Sequence, residues 1–328
     1  MKAKLAVSFL IPVITISVLS CSSSMEPSRQ GTWKIAGQIN SSSSINSIRF
    51  IDEKTGWAAG SQGGIFKTED GGINWRQQYS GINSKLLNIY FINEYSGWIT
   101  GLNNVILYTS NGGASWALQN FDADSTKIIS GIAYCDDFNC WAINNAGRLY
   151  FSSDRGETWQ TKTCFNEYGF SNIFFPCTME GFIFKRSGNL IYRTFDGGDS
   201  WQRYDLPVAW GSEAFFVDQN SGWVAEDWAV SSTIHESAAV YFTSDGGLNW
   251  EKRGSIKSIM LDNLIFVNGN SGWCNSADKI YRTTDGGFTW NVEFTLEDNQ
   301  FIKDLFLIDE MNGWALTSNN YIVKYSPM

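Results

Sequence analysis

Six short segments of the chain place a carboxylate or amide in a fixed setting of hydroxyl, glycine and tryptophan residues. The central residue of each segment is Asp70, Asn111, Asp154, Asp196, Asp245 or Asp285, preceded by Ser or Thr and followed by Gly and Trp. A carboxylate can serve as a general acid or base. One active site does not need six copies, however, and an Asp or Asn that accepts backbone N–H groups two residues on stabilises a tight turn. The sequence therefore predicts six structural turns.

A second motif, Gly-Trp or a close variant, occurs seven times along the chain. Its copies begin at Gly56, Gly97, Cys140, Gly181, Gly222, Gly272 and Gly313. A period of roughly forty residues with four short strands in each unit is the pattern of a β-propeller. The expected fold is therefore all-β, a seven-bladed β-propeller.

The seventh turn motif is missing, because the chain stops at Tyr325-Ser326-Pro327-Met328, where it should begin. Its second half is found at the other end of the sequence, in Gly31-Thr32-Trp33. We expect the N-terminal strand to pair with the last blade and close the ring. Such closure leaves no unpaired sheet edge in that blade junction.

Residues 1–20 have a basic start, Lys2 and Lys4, followed by an apolar run and small residues, which predicts a secretory signal peptide. The ending Val18-Leu19-Ser20-Cys21 resembles a bacterial lipobox, with Cys21 as the lipidated residue. Residues 21–32 form a Ser-rich tether, and residues 33–328 form the propeller. The predicted location is the bacterial cell envelope, with the protein held on a membrane by the lipid on Cys21.

The formal net charge of −9 argues against binding nucleic acid. His235 is the only histidine, and no cysteine has zinc-ligand spacing with it. We therefore expect neither a metal site nor a cofactor.

Two tryptophans, Trp210 and Trp228, stand outside the repeated positions. Trp228 lies in an insertion between the second and third strands of blade five, together with Glu226, Asp227 and His235. Loops on a rigid scaffold often carry function, and Trp is enriched in binding sites. The insertion is thus a candidate contact patch. The alternative is that Trp228 folds back to cover blade five and Trp210 supports it.

Mostly polar residues begin the innermost strands, and the only carboxylates among them are Glu213 and Asp304. They are candidates for a metal or substrate role at the mouth of the central channel. A solvated channel mouth is the simpler interpretation.

The cysteines allow two disulfides in an oxidising compartment. Cys135 and Cys140 flank a predicted hairpin turn, and Cys164 and Cys177 are a second candidate pair. Cys274 follows the core residue Trp273 and is expected to be a buried thiol.

With its Gly-Trp units, its Asp-box turns and the closure at Trp33, the chain resembles the photosystem II stability and assembly factor family, including the related bacterial proteins that lack a photosystem. This resemblance covers residues 33–328 and implies a non-enzymatic scaffold that holds a membrane or envelope protein client. Photosynthetic members use an arginine-rich patch, whereas the arginines here are scattered. The alternative is a glycan-binding protein or a glycoside hydrolase, since Asp-boxes also occur in those enzymes. Glu213, Asp227 and Asp304 would be the first catalytic candidates.

Overall fold

The computed structural model describes residues 31–119, 127–136, 138–185, 189–208, 213–226, 237–258, 261–297 and 299–327. These residues form strands, turns and one short 3-10 turn at Ser61–Gly63. Within these ranges no helix has the length and apolar character needed to span a bilayer. The predicted signal peptide and Cys21 lie outside the described residues.

The strands in chain order are β1 (Gly31–Gln38), β2 (Ile45–Phe50), β3 (Gly56–Gly60), β4 (Ile65–Thr68), β5 (Arg76–Gln78), β6 (Leu86–Phe91), β7 (Gly97–Gly101), β8 (Ile106–Thr109), β9 (Ala117–Leu118), β10 (Ile129–Tyr134), β11 (Cys140–Asn144), β12 (Arg148–Ser152), β13 (Gln160–Cys164), β14 (Phe170–Phe174), β15 (Gly181–Lys185), β16 (Leu190–Thr194), β17 (Gln202–Asp205), β18 (Glu213–Phe216), β19 (Gly222–Ala225), β20 (Ala238–Thr243), β21 (Glu251–Ile256), β22 (Asp262–Phe266), β23 (Gly272–Ser276), β24 (Lys279–Thr283), β25 (Asn291–Thr295), β26 (Ile302–Leu307), β27 (Gly313–Thr317) and β28 (Tyr321–Pro327).

These strands form seven antiparallel sheets of four strands each. The first six blades run in chain order from β2–β5 to β22–β25, and the seventh has the order β26, β27, β28, β1. In that blade Trp33 of β1 lies opposite Tyr325 of β28. The seven-bladed fold and its closure by the N-terminal strand are confirmed, and the strand begins at Gly31, two residues before the predicted start.

Each turn motif is held by its hydroxyl together with a carboxylate or, at Asn111, an amide. In the sixth copy Thr283 Oγ1 donates to Asp285 Oδ1 at 2.8 Å and accepts the N–H of Gly287 at 2.9 Å. The same carboxylate accepts the N–H of Thr289 at 2.9 Å. Asp285 therefore accepts an N–H four residues further along the chain, rather than two as predicted. This explains why the motif includes both the hydroxyl residue before the Asp and the residue before the Trp.

Neighbouring blades interlock through the Gly-Trp residues. The indole of Trp57 stacks on Phe91 of the next blade at 3.6 Å between ring centroids. Its Nε1 donates to the carbonyl of Gly112 in the turn motif of that same neighbour at 3.0 Å. Equivalent indole-to-carbonyl bonds are made by Trp98, Trp141, Trp223 and Trp314. The two repeated motifs are thus the two halves of one joint between blades.

The ring has two distinct faces. The turn motifs and the turns between the first and second strands of each blade lie on one face, which we call the box face. The turns between second and third strands and the crossovers between blades lie on the other, which we call the crossover face. This division follows from the antiparallel registers, in which Gly56 pairs with both Phe50 and Thr68.

Candidate functional site

The predicted contact patch falls mostly outside the described residues. Trp210, Asp227, Trp228 and His235 are among those not described, and Glu226 is the member that the structure locates. The backbone N–H of Glu226 donates to the carbonyl of Ala239 at 2.9 Å, just beyond the end of β19. The insertion therefore leaves blade five on the crossover face.

A cavity of about 220 Å³ lies on the axis of the ring and is lined by the innermost strands. Its wall has two tiers. A polar tier nearer the crossover face contains Ser47, Asn88, Asn172, Glu213, Asn263 and Asp304. Two residues further along the same strands, the second tier contains Arg49, Tyr90, Phe215 and Phe306. The expected ring of polar residues is therefore present and continues into a mostly aromatic zone.

Asp304 is tied to the neighbouring blade rather than left open for chemistry. Its Oδ2 accepts the N–H of Ile48 at 2.8 Å, and its Oδ1 accepts the N–H of Leu305 at 3.0 Å. Burial raises the pKa of Asp304, although these hydrogen bonds and the charge of Arg49 oppose that effect. Some of its surface stays accessible because it faces the cavity, while protein surrounds the rest. The main role of this carboxyl is to connect blade seven to blade one through its hydrogen bond with Ile48.

Arg49 is the cavity residue that the sequence reasoning did not single out. Its guanidinium lies 4.5 Å from the ring centre of Phe306 and 5.6 Å from that of Tyr90. The sequence does mark this residue when the seven repeats are compared with one another. At the position two residues after the polar ring, the other six blades have an aromatic or aliphatic residue, and blade one alone has an arginine.

The carboxylates of the turn motifs are committed to their turns. Hydrogen bonds from Ser200 and Thr194 lower the pKa of Asp196 below its usual range. Partial burial by itself would raise the pKa of Asp285. Hydrogen bonds from Thr289 and Thr283 outweigh this effect, so the pKa is lowered. A carboxylate whose lone pairs already accept several donors is a poor proton acceptor. This geometry supports the structural interpretation of the boxes.

The structure contradicts one of the two predicted cysteine pairs. Cys164 ends β13 on the crossover face, whereas Cys177 lies in a turn on the box face, beyond the five residues of β14. Five residues of strand span about 16 Å, and a disulfide needs Cα atoms within about 7 Å. Cys177 instead lies near Cys135, whose pKa is raised to about 12 by burial, with smaller contributions from neighbouring groups that include Cys177.

Cys135 and Cys140 do share one hairpin, as expected, because Cys140 pairs with Tyr134 and Cys135 follows directly. In the structure both are thiols, as are Cys164, Cys177 and Cys274. Cys274 is fully buried, in agreement with its prediction.

The described residues hold no group of three or more His, Cys, Asp or Glu side chains suited to a metal ion. Fold and motifs together define a seven-bladed Asp-box propeller with an axial cavity.

Comparison with known proteins points to the same class. A family model described as photosynthesis system II assembly factor YCF48 matches residues 25–125. A solved structure described as YCF48 bound to D1 peptide has a TM-score of 0.74 and 18% identity, covering 93% of this chain and 100% of that chain. The resemblance to the assembly factor family is therefore confirmed, in sequence over residues 25–125 and in fold over nearly the whole chain.

Glycoside hydrolases also share the fold. An ancestral GH74 enzyme has a TM-score of 0.67 and 15% identity, covering 90% of this chain and 46% of that chain. A xyloglucanase from Paenibacillus sp. is 27% identical over 158 residues, which are 47% of this chain and 14% of that protein. The matched segment is thus a small part of the enzyme.

Proposed function

We propose that this protein is a lipid-anchored binding or assembly module of the bacterial envelope that recognises a protein client through its crossover face. The observation that carries the proposal is the likeness, over 93% of the chain, to a YCF48 structure described as bound to a D1 peptide. A propeller of this form binds a peptide in that case, and we extend peptide or protein binding to this chain. This likeness does not identify the client.

A photosynthetic client is disfavoured by the way the arginines are used. Arg193 donates to the carbonyls of Asp245 and Gly246, and Arg282 donates to Glu293 and Tyr325. These side chains hold neighbouring blades together and leave the acidic surface without a basic patch built from them. We therefore favour an envelope or membrane protein of a non-photosynthetic bacterium.

The crossover face suits client binding because the scaffold beneath it is rigid. Strands β19 and β20 flank the insertion at residues 226–236, and Ala225, Ala238 and Val240 of these strands belong to the buried cluster around Trp223 and Phe266. On such a base, the insertion with Trp228, Glu226, Asp227 and His235 and the preceding crossover with Trp210 can form one surface. Two tryptophans beside acidic residues fit a client segment that is apolar with basic flanks.

The test is in-cell crosslinking of the lipidated protein, followed by purification of its adducts. A Trp210→Ala/Trp228→Ala variant is compared with a Tyr95→Ala/Phe288→Ala variant, which removes two exposed aromatics on the box face. We expect one discrete envelope protein with the wild type and the control, and its loss with the first variant. Equal capture by all three would contradict the assigned face.

A Cys21→Ala variant tests the anchor separately. We expect it to leave the membrane fraction while its propeller stays folded. If the variant sediments with membranes like the wild type, the lipid anchor is wrong, and client binding is unaffected by that result.

The second candidate, a glycan-binding protein or glycoside hydrolase, is favoured by the xyloglucanase match. Its weak point is Asp304, whose oxygens accept backbone N–H groups. Assays of xyloglucan binding and depolymerisation decide the matter, with Glu213→Gln and Asp227→Asn as the first variants. Depolymerisation that either variant abolishes would replace the scaffold proposal.

A further inference from the structure

Arg49 is set apart from the other arginines buried between blades. Arg282 donates to Glu293 at 3.0 Å and to Tyr325 at 2.7 Å. Arg193 donates to Glu180 at 3.1 Å and to two backbone carbonyls. Across the part of the chain that the structure describes, Arg49 makes neither a hydrogen bond nor an ion pair. The Nε atoms of all three arginines are buried without a partner, so the difference lies in the missing anion. A half-buried cation in this position lacks the anion that its counterparts have.

Asp304 does not supply that anion. It lies close enough for its pKa to be lowered by the charge of Arg49, yet the two side chains form no ion pair within 4.0 Å among the described residues. Its oxygens are directed to Ile48 and Leu305 instead. Desolvating an arginine without a hydrogen-bonded counter-charge is costly, and a ligand can remove that cost.

Asn88 offers a second set of donors in the same cavity. It lines the axial cavity from the innermost strand of blade two, next to the blade that carries Arg49. In the described structure its side-chain amide makes no hydrogen bond. Tyr90 and Phe306 lie on the guanidinium and give the cavity wall an apolar part beside it.

We propose that the axial cavity binds a small organic monocarboxylate through Arg49 and Asn88. The planar guanidinium matches the two oxygens of a carboxylate, and charge-assisted bonds of this kind are the strong ones. A cavity of about 220 Å³ has ample room for a small carboxylate, since a cavity of about 150 Å³ already accommodates benzene, and the apolar part of the ligand would lie against Tyr90 and Phe306. Glu213 and Asp304 in the same wall disfavour a second negative charge on the ligand. This inference is independent of client binding on the crossover face.

The direct test is a titration of the mature, folded protein with propanoate and, separately, with propanamide. Propanamide has nearly the same shape and no charge. Binding is followed by calorimetry and by the NMR signals of arginine Nε–H groups. We expect saturable binding of propanoate with a shifted Arg49 signal, and no comparable binding of propanamide.

Two variants and one control complete the experiment. Arg49→Gln should weaken propanoate binding by about tenfold or more, the scale of a lost charged hydrogen bond. Asn88→Asp should weaken it similarly by placing a negative charge beside the ligand, and it serves as the second variant if Arg49→Gln does not fold. Arg203→Gln removes an exposed arginine of β17 and should leave the affinity unchanged.

Absence of saturable propanoate binding to the wild type would overturn the proposal. Binding that Arg49→Gln or Asn88→Asp leaves intact, or equal binding of propanamide, would do the same. Client capture by the Arg49→Gln variant should equal that of the wild type, so a failure here is distinguishable from a failure of the proposed function.

Discussion

Trp273 donates its indole N–H to Glu293 at 2.9 Å, in the one blade whose neighbour has no Asp-box. The Gly-Trp indoles of five other blades donate to a backbone carbonyl in the next box. Since blade seven is completed by β1, it has no such carbonyl to offer, and a carboxylate takes its place. Glu293 also accepts the indole of Trp33 at 2.9 Å and the guanidinium of Arg282 at 3.0 Å. One side chain thus secures the closure of the ring.

The first prediction concerns this closure. Glu293→Ala should lower the free energy of unfolding by about 3 kcal/mol, because it leaves a buried arginine and two indoles without their acceptor. Glu293→Gln should cost less, since an amide oxygen still accepts from the indoles. Denaturant unfolding measures both, with the exposed Glu297→Ala as control. A loss no greater than that of the control would contradict the role assigned to Glu293.

A second prediction concerns blade four, where Phe182 replaces the usual Trp and Arg193 reaches the box of blade five. Arg193→Phe alone should destabilise the protein by about 2 kcal/mol, since two carbonyls lose their donor. Adding Phe182→Trp recreates the Trp141 and Phe151 arrangement of blade three and supplies an indole donor. The double variant should therefore be more stable than Arg193→Phe. Purely additive losses in a double-mutant cycle would refute this explanation.

A third prediction tests the boxes as structural turns. Asp285→Ala removes the acceptor for Thr283, for the N–H of Thr289 and for its hydroxyl. We expect a loss of about 1 kcal/mol in unfolding free energy, because these bonds are largely exposed to solvent. Client capture, measured at equal amounts of folded protein, should not change. Unaltered thermal unfolding would count against the turn as a source of stability.

The pH dependence of stability gives a fourth prediction. The pKa of Asp285 is lower in the folded protein than usual, as burial is outweighed by hydrogen bonds from Thr289 and Thr283. An ionised box therefore stabilises the fold above the unfolded-state pKa of about 3.9, and this contribution disappears as the pH falls through the folded-state pKa.

Variants at two boxes check that sign. Asp285→Asn keeps an oxygen for the N–H of Thr289 but does not titrate, so stability should fall less steeply on acidification. Asn111→Asp converts the amide box into a titrating one and should steepen the fall. The measurement is unfolding free energy between about pH 7 and about pH 2. Curves parallel to the wild type for both variants would argue against the lowered pKa values.

The sequence was sufficient for the parts of the fold that repeat. The period of the Gly-Trp motif and the half-blade at Trp33 predicted the number of blades and their closure, because each blade faces the same packing problem. The residues that depart from the repeat could not be predicted from its period. Glu293 and Arg193 act through neighbours that are distant in sequence, and their roles follow from a missing box and a missing indole in the adjoining blade.

The site was predicted less completely than the fold. Glu213 and Asp304 were assigned to the channel from their place in the repeat, and they line it. The repeat does not predict Arg49, because its polar positions are at the start of the innermost strands and Arg49 lies two residues further on. The pairing of Cys164 with Cys177 is wrong because the two residues lie on opposite faces of the ring. Trp210 and Trp228 lie outside the described residues, so their contact role stays a prediction.

The central claim is that the crossover face binds a protein client, and crosslinking from defined positions tests it most directly. A photo-crosslinking amino acid is placed at Glu226 on the crossover face and, in a second protein, at Phe288 on the box face. We expect a discrete adduct with one envelope protein from position 226 and none from position 288. An adduct from position 288 alone would contradict the account. The account would also be contradicted if neither position gave an adduct and the same protein depolymerised xyloglucan.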